Sequence, residues 1–239
     1  MDLENQLAVV VGGSSGIGLA TVQALAAAGA RVIATGRDVA KLEKAVAGLG
    51  ERVTGEVFDC GDRTVADAFF RRVGRFDHLV LAASGGAGAG EFAKLDLQAL
   101  RHGFDAKFWP QIEAAQASLG TLRRGGSITF VTAISARIAN PGTAGLGAIN
   151  GAIEAMLGTL ARELQPTRVN AVSPGVIDTP WWNQVPADFK ERVFRQQRET
   201  LPAGRVGQPQ DIAHAIRFLV ENSFMTGAVI ECDGGMRLL

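Results

Sequence analysis

The chain has no tyrosine among its 239 residues, so no phenol can serve anywhere in it as acid, base or nucleophile. Cysteine is almost as scarce. Cys60 and Cys232 stand far apart, without the spacing of a metal site or a disulfide framework, and read as reduced thiols of a cytoplasmic protein. Neither charge sign is in excess, since 24 Lys and Arg balance 24 Asp and Glu. That removes the basic field that nucleic-acid binding needs, and no acidic tail is present. The three histidines, His78, His102 and His214, belong to no cluster with metal-ligand spacing, so no metal is expected. Apolar runs such as 79–83 are far short of the roughly 20 residues of a membrane span, and no membrane partner is expected. The opening Met1-Asp2-Leu3-Glu4-Asn5-Gln6 is acidic and polar, unlike a signal or transit peptide.

What is present is apolar residues, 47% of the chain, and 30 glycines, arranged in a regular alternation. Short apolar runs predict strands at 8–11, 31–35, 52–58, 79–83, 127–132, 169–173 and 229–232. Longer amphipathic runs between them predict helices at 18–28, 39–49, 64–73, 97–123, 146–163 and 211–221. Such alternation builds a parallel sheet covered by helices on both faces. No linker or repeat divides residues 1–239, so a single domain is expected. One irregular tract, 178–207, is rich in Pro, Trp and charge, and its place after a strand end is that of a segment covering a ligand.

The first strand runs into Val11-Gly12-Gly13-Ser14-Ser15-Gly16-Ile17-Gly18. Glycines at a strand-to-helix turn let the backbone approach a pyrophosphate, and the helix start supplies N–H donors. A packing turn is the other reading; the flanking strand and helix favour a dinucleotide. At the end of the second strand the chain reads Gly36-Arg37, where an NAD binder of this architecture carries a carboxylate. A guanidinium there pairs with a 2′-phosphate, unless Arg37 is simply a solvated loop charge, so NADP(H) is favoured over NAD(H).

The spacing Gly12-x-x-x-Gly16-x-Gly18 resembles that of the short-chain dehydrogenases/reductases. Asp59-Cys60, Asn170-Ala171-Val172-Ser173-Pro174-Gly175, Thr179, Gly227 and Asp233-Gly234-Gly235 extend the resemblance along the chain. It implies a Rossmann-type doubly wound sheet of one domain. It implies that Gly12, Ser14, Ser15, Gly16, Ile17 and Gly18 cradle the phosphates, and that Asp59, with Cys60, meets the adenine. Ala82, Ala83, Asn150, Pro174, Gly175, Ile177 and Thr179 would line the rest of the cofactor cleft. Val11 departs from the threonine common in the family.

The family's chemistry uses a serine to orient the carbonyl, a tyrosine to give the proton, a lysine four residues on, and an asparagine on a neighbouring helix. In register, those places hold Ala133, Leu146, Asn150 and Asp105. Alanine and leucine neither donate nor accept, and asparagine carries no charge. Substitutes are few. Asp105 and Lys107 either bring a carboxylate and an ammonium to the cofactor or are a helix-face aspartate and a surface lysine. Thr132 and Ser135 flank Ala133 and carry hydroxyls suited to a carbonyl. His102 shares a helix face with Asp105 and reads as solvated. Trp181 and Trp182 open the irregular tract and form either a substrate lid or a packing contact. By the resemblance, 97–123 and 146–163 are the helices that pair in a homodimer or homotetramer. Two functions follow: an NADP(H)-dependent oxidoreductase of a small carbonyl or alcohol with a non-standard proton donor, or a cofactor-binding protein without catalysis.

Overall fold

A computed structural model of the protein describes residues 3–239; Met1 and Asp2, the start of the acidic opening, lie outside the described residues. Seven strands form one parallel sheet in the order β3-β2-β1-β4-β5-β6-β7. They are β1 (Leu7–Val11), β2 (Arg31–Gly36), β3 (Val53–Val57), β4 (Phe76–Leu81), β5 (Leu122–Val131), β6 (Arg168–Pro174) and β7 (Val229–Cys232). The helices are α1 (Gly16–Ala27), α2 (Val39–Val46), α3 (Arg63–Val73), α4 (Leu97–Gly103), α5 (Trp109–Ser118), α6 (Ala144–Glu163), α7 (Ala187–Thr200) and α8 (Pro209–Glu221). The parallel sheet with helices on both faces expected from the alternation, and the doubly wound order implied by the resemblance, are the observed ones.

Strands buried on both faces send alternate side chains to opposite layers. Val9 and Val11 join Leu79, Leu81, Ile128, Phe130 and Ala171 in a core roofed by α3, α5 and α6. Ala8 and Val10 join Val80, Val131 and Val172 in a second core under α1, α2 and α8. Phenylalanine does the aromatic packing: Phe58 stacks on Phe69 at 4.2 Å between centroids, and Phe70 on Phe76 at 5.6 Å. One helix, α6, is long and apolar enough to cross a membrane by length and composition, which the short apolar runs did not suggest. Its Ile149, Ile153 and Leu157 are buried in the protein.

Three boundaries depart from the sequence pattern. The expected helix 97–123 is α4, a π turn at Phe104–Phe108, and α5, and its last residues belong to β5. Pro110 in the first turn of α5 has no N–H for the preceding turn, and the backbone widens just before it. The strand expected at 79–83 starts earlier and ends at Leu81, leaving Ala82 and Ala83 beyond the sheet. The tract 178–207 is not irregular throughout: it contains a 3-10 turn at Pro180–Gln184 and the helix α7.

His78 on β4 is buried, with Nδ1 2.8 Å from Ser127 Oγ. Burial, then the Arg168 charge, push its pKa from 6.5 down to about 4. The folded state thus keeps the ring neutral where the unfolded chain takes up a proton. Its contribution is complete above pH 6.5 and is lost as pH falls towards 4, by roughly 3 kcal/mol in all. Urea denaturation from pH 7.5 to 4.5 should show this fall, and His78→Gln should flatten it. An equal slope in both proteins assigns the effect elsewhere.

Candidate dinucleotide and substrate site

β1 pairs in parallel with β2 on one side and β4 on the other, so the order in which strands are added reverses there and opens a crevice beyond the strand ends. The glycine loop fills the base of it. Gly12 has φ +81°, and a Cβ on it would stand 2.8 Å from Ala83 N. A Cβ on Gly18 would stand 2.0 Å from Gly12 O, so only glycine lets the start of α1 lie on the turn. Gly13 N donates to Thr35 O at 2.8 Å and ties the loop to β2. Ser15 caps α1 without a side-chain bond, and no acidic residue sits in the first turn. The helix start is left to an anion. Ile17 packs against the second core.

At the end of β2, a Cβ on Gly36 would lie 3.0 Å from Ser14 Oγ. The Ser14 side chain therefore occupies the space a carboxylate at this position would need. Arg37 follows, exposed at the crevice edge. Asp59 is exposed and accepts from Gly61 N at 3.1 Å. The side chain of Cys60 belongs to the core and is turned away from any ligand in the crevice. Burial, then the Asp59 charge, raise its thiol to about 11, while the Arg37 guanidinium pulls the other way. Ile177 is likewise a core side chain, buried with the second layer. Gly175 lies on Asp233, with room for no side chain: a Cβ would be 2.8 Å from the Asp233 backbone.

At the chemical end, α6 presents Leu146, Asn150 and Glu154 at a spacing of four, on one face. Leu146 is half-buried, and Ala133 caps the turn after β5. Asn150 is buried, and its Nδ2 donates to Leu146 O at 2.8 Å and to Ser135 Oγ at 3.2 Å. Its Oδ1 has no partner among the described residues. Thr132 uses its hydroxyl on Glu154 Oε1 at 2.7 Å and Val172 O at 3.2 Å. Asp105 and His102 are exposed.

Lys107 is not a surface lysine. It is 7% exposed, and Nζ donates to Thr132 O at 3.0 Å. Desolvation lowers its pKa from 10.5 to about 8, with the Glu154 carboxylate opposing. Asp105 and Lys107, two apart on the π turn, therefore part company: one faces solvent, the other enters the protein. Sequence reading missed Glu154 and Gln111. Glu154 follows Asn150 by four residues and Gln111 follows Lys107 by four, and that helical spacing was the available signal.

The segment after β6 closes over this crevice. Gly16 faces Thr179, whose Cβ would be 3.3 Å from a Cβ there, and Trp181 lies over Gly86 in the loop after β4. Trp182 donates from Nε1 to Ile177 O at 2.9 Å and packs edge-on to Trp181 and Phe194. Both tryptophans are half-buried, and their contacts are those of packing residues at the crevice. Beside Ser135, a cleft of about 560 Å³ is lined by Phe92, Ile138, Pro141, Thr143 and Gly147.

These features suit a nicotinamide dinucleotide: glycines where any Cβ would collide, a vacant capping role at Ser15, and an unpartnered buried amide oxygen at Asn150. Comparison with known proteins agrees. A family model described as "Enoyl-(Acyl carrier protein) reductase" matches residues 11–237. The chain is 34% identical to an uncharacterised oxidoreductase of Methylorubrum extorquens, over 98% of its own length and 99% of the relative's. It is 32% identical to the 3-oxoacyl-[acyl-carrier-protein] reductase of Thermotoga maritima, over 99% of both chains. A solved small-chain dehydrogenase in complex with NADPH superposes with a TM-score of 0.84 at 33% identity, covering 99% of this chain and all of that one. With fold, glycine loop and full-length relatives in agreement, this chain belongs to the short-chain dehydrogenase/reductase family of oxidoreductases.

Proposed function

We propose that the protein is an NADP(H)-dependent oxidoreductase of a small, largely apolar carbonyl compound or alcohol, working without the family's tyrosine and lysine. The observation that carries this reading is the intact cradle, in which Gly12, Gly16 and Gly18 each stand where a side chain would meet backbone or Thr179. When bound, the dinucleotide supplies the hydride. Gly12 to Gly18 hold its phosphates, Ser14 and Arg37 its 2′-phosphate, and Thr179 closes over it.

Ser135 takes the carbonyl-orienting role vacated at position 133. Asn150 donates to its oxygen, which leaves the hydroxyl proton for a substrate oxygen in the adjoining cleft. Thr132 is already committed to Glu154 and β6 and does not compete. The proton arrives from water through that hydroxyl, since Leu146 has none to give. The tryptophans exclude bulk water from above.

Titration with NADPH and NADH, followed by nicotinamide fluorescence, tests the cofactor assignment. Oxidation of bound NADPH by a panel of ketones and aldehydes tests the chemistry. Tight NADPH binding with no turnover of any carbonyl would leave the non-catalytic reading, a sensor, scaffold or partner subunit, in its place. We also propose a cytoplasmic homodimer or homotetramer formed through α5 and α6. Gly151 and Gly158 on α6 meet open space, and Trp109 on α5 is 52% exposed. Light scattering at micromolar concentration reads the assembly directly; a monomer there refutes it.

A further inference from the structure

Two groups at the end of β5 are left incompletely satisfied. Lys107 buries an ammonium against one carbonyl, Thr132 O, although an ammonium has three donors. Asn150, buried on the helix α6 that packs against the π turn, has an amide oxygen with no donor among the described residues. A bond to one carbonyl does not by itself require a charge, and the Glu154 carboxylate is the opposite charge acting on it. One turn along, Gln111 donates to Ala83 O at 2.8 Å and Val131 O at 3.3 Å, holding the ends of β4 and β5 with a neutral amide. Burying an ammonium for a single further carbonyl is costly where a neutral donor would suffice.

We propose that Lys107 and Asn150 together hold a ribose hydroxyl of the nicotinamide half of the cofactor, Nζ donating to the hydroxyl oxygen and the hydroxyl donating to Asn150 Oδ1. The inference rests on the cofactor reading above. A hydroxyl is one donor and one acceptor on a single atom, and so answers both unsatisfied groups at once. The cation that the family places on α6 arrives here from the π turn packed against that helix. Lys107 and Asn150 thereby become positioning residues for the dinucleotide rather than proton donors.

The arrangement makes cofactor affinity depend on pH. Charged groups on the elements packed against the π turn are Arg101 and His102 on α4, Glu113 on α5, and Glu154, Arg162 and Glu163 on α6. Of these, Glu154 alone acts on Lys107, and it favours the charged form. Asp105 on the turn itself is exposed. With Lys107 titrating at about 8, the hydroxyl is held below that pH and released above it.

Calorimetric titration with NADPH and with adenosine 2′,5′-bisphosphate tests the proposal, because the bisphosphate carries the adenine and the 2′-phosphate but no nicotinamide ribose. Wild type should bind both, and the ratio of the two affinities should fall as pH rises from 7 to 9.5. Lys107→Met and Asn150→Leu should each weaken NADPH by roughly 10- to 100-fold and leave the bisphosphate unchanged. Lys107→Met removes a buried charge and should melt no lower than wild type; if it fails to fold, Asn150→Leu carries the test alone. Unchanged NADPH binding in the folded variants, or equal weakening of both ligands, overturns the proposal and leaves the cofactor reading standing. Failure of wild type to bind either ligand removes both.

Discussion

Combining Ala133→Ser, Leu146→Tyr, Asn150→Lys and Lys107→Met will raise NADPH-dependent ketone reduction by roughly 10²- to 10⁴-fold, the usual worth of general acid–base help. Leu146 and Asn150 lie one turn apart on the same face of α6, and Ala133 caps the turn that carries Ser135. The three changes thus restore hydroxyl, phenol and ammonium at one place. Leu146 is half-buried, so a side chain there is open to solvent on one side. The fourth change is needed because a lysine at 150 would share the end of β5 with Lys107, and each ammonium would depress the other's charge. The three changes without Lys107→Met should therefore gain less than all four. The measurement is kcat/KM with an aryl ketone, alongside a thermal melt and NADPH titration. A folded, NADPH-binding quadruple variant with no gain would mean that the substrate pocket, not only its acid, has diverged.

Arg37→Asp will turn the cofactor preference around. The guanidinium stands at the edge of the crevice where its charge reaches the Cys60 thiol, and Ser14 Oγ fills the space beside Gly36. A 2′-phosphate between them gains a forked, charge-assisted contact. Aspartate replaces that attraction with repulsion, and its carboxylate can accept from a ribose that bears no phosphate. NADPH affinity should fall by more than about 100-fold, given the worth of hydrogen bonds to charged groups, while NADH affinity holds or improves. The titration that establishes wild-type preference reads the variant too. Equal loss of both cofactors would place Arg37 in the structure rather than in discrimination.

The sheet was legible because both of its cores are written in alternation. Ala8-Val9-Val10-Val11 is apolar throughout, and a strand buried on both faces needs nothing else. The glycine cradle was legible for a related reason, since its spacing reflects collisions that only glycine avoids. What could not be read was depth. Helix α7 buries only Phe194 and Gln197, and so thin a stripe among Lys, Glu and Arg hid the helix. The joint between α5 and β5 was misread because residues 119–123 carry no proline to mark the break. Lys107 sits between Asp105 and Trp109, which do not report that the π turn sends its side chain inward. Cys60 and Ile177 matched a family pattern by position, while their side chains answer to the core.

The long excursion between β6 and α8 returns almost to its starting point. Ile177 and Gly207 form an isolated parallel bridge, with Asp178 N donating to Gly207 O at 2.8 Å and Gly207 N to Val176 O at 3.0 Å. Everything between, including both tryptophans and α7, lies within that clasp. It is also held to the body by Ala203 N donating to Gly234 O at 3.1 Å, by Arg205 paired with Asp211 of α8 at 2.6 and 2.9 Å, and by Trp181 against Gly86. The segment is therefore a cassette. Because its ends meet at the clasp, it can be exchanged for a relative's segment of different length without altering the register of a single strand.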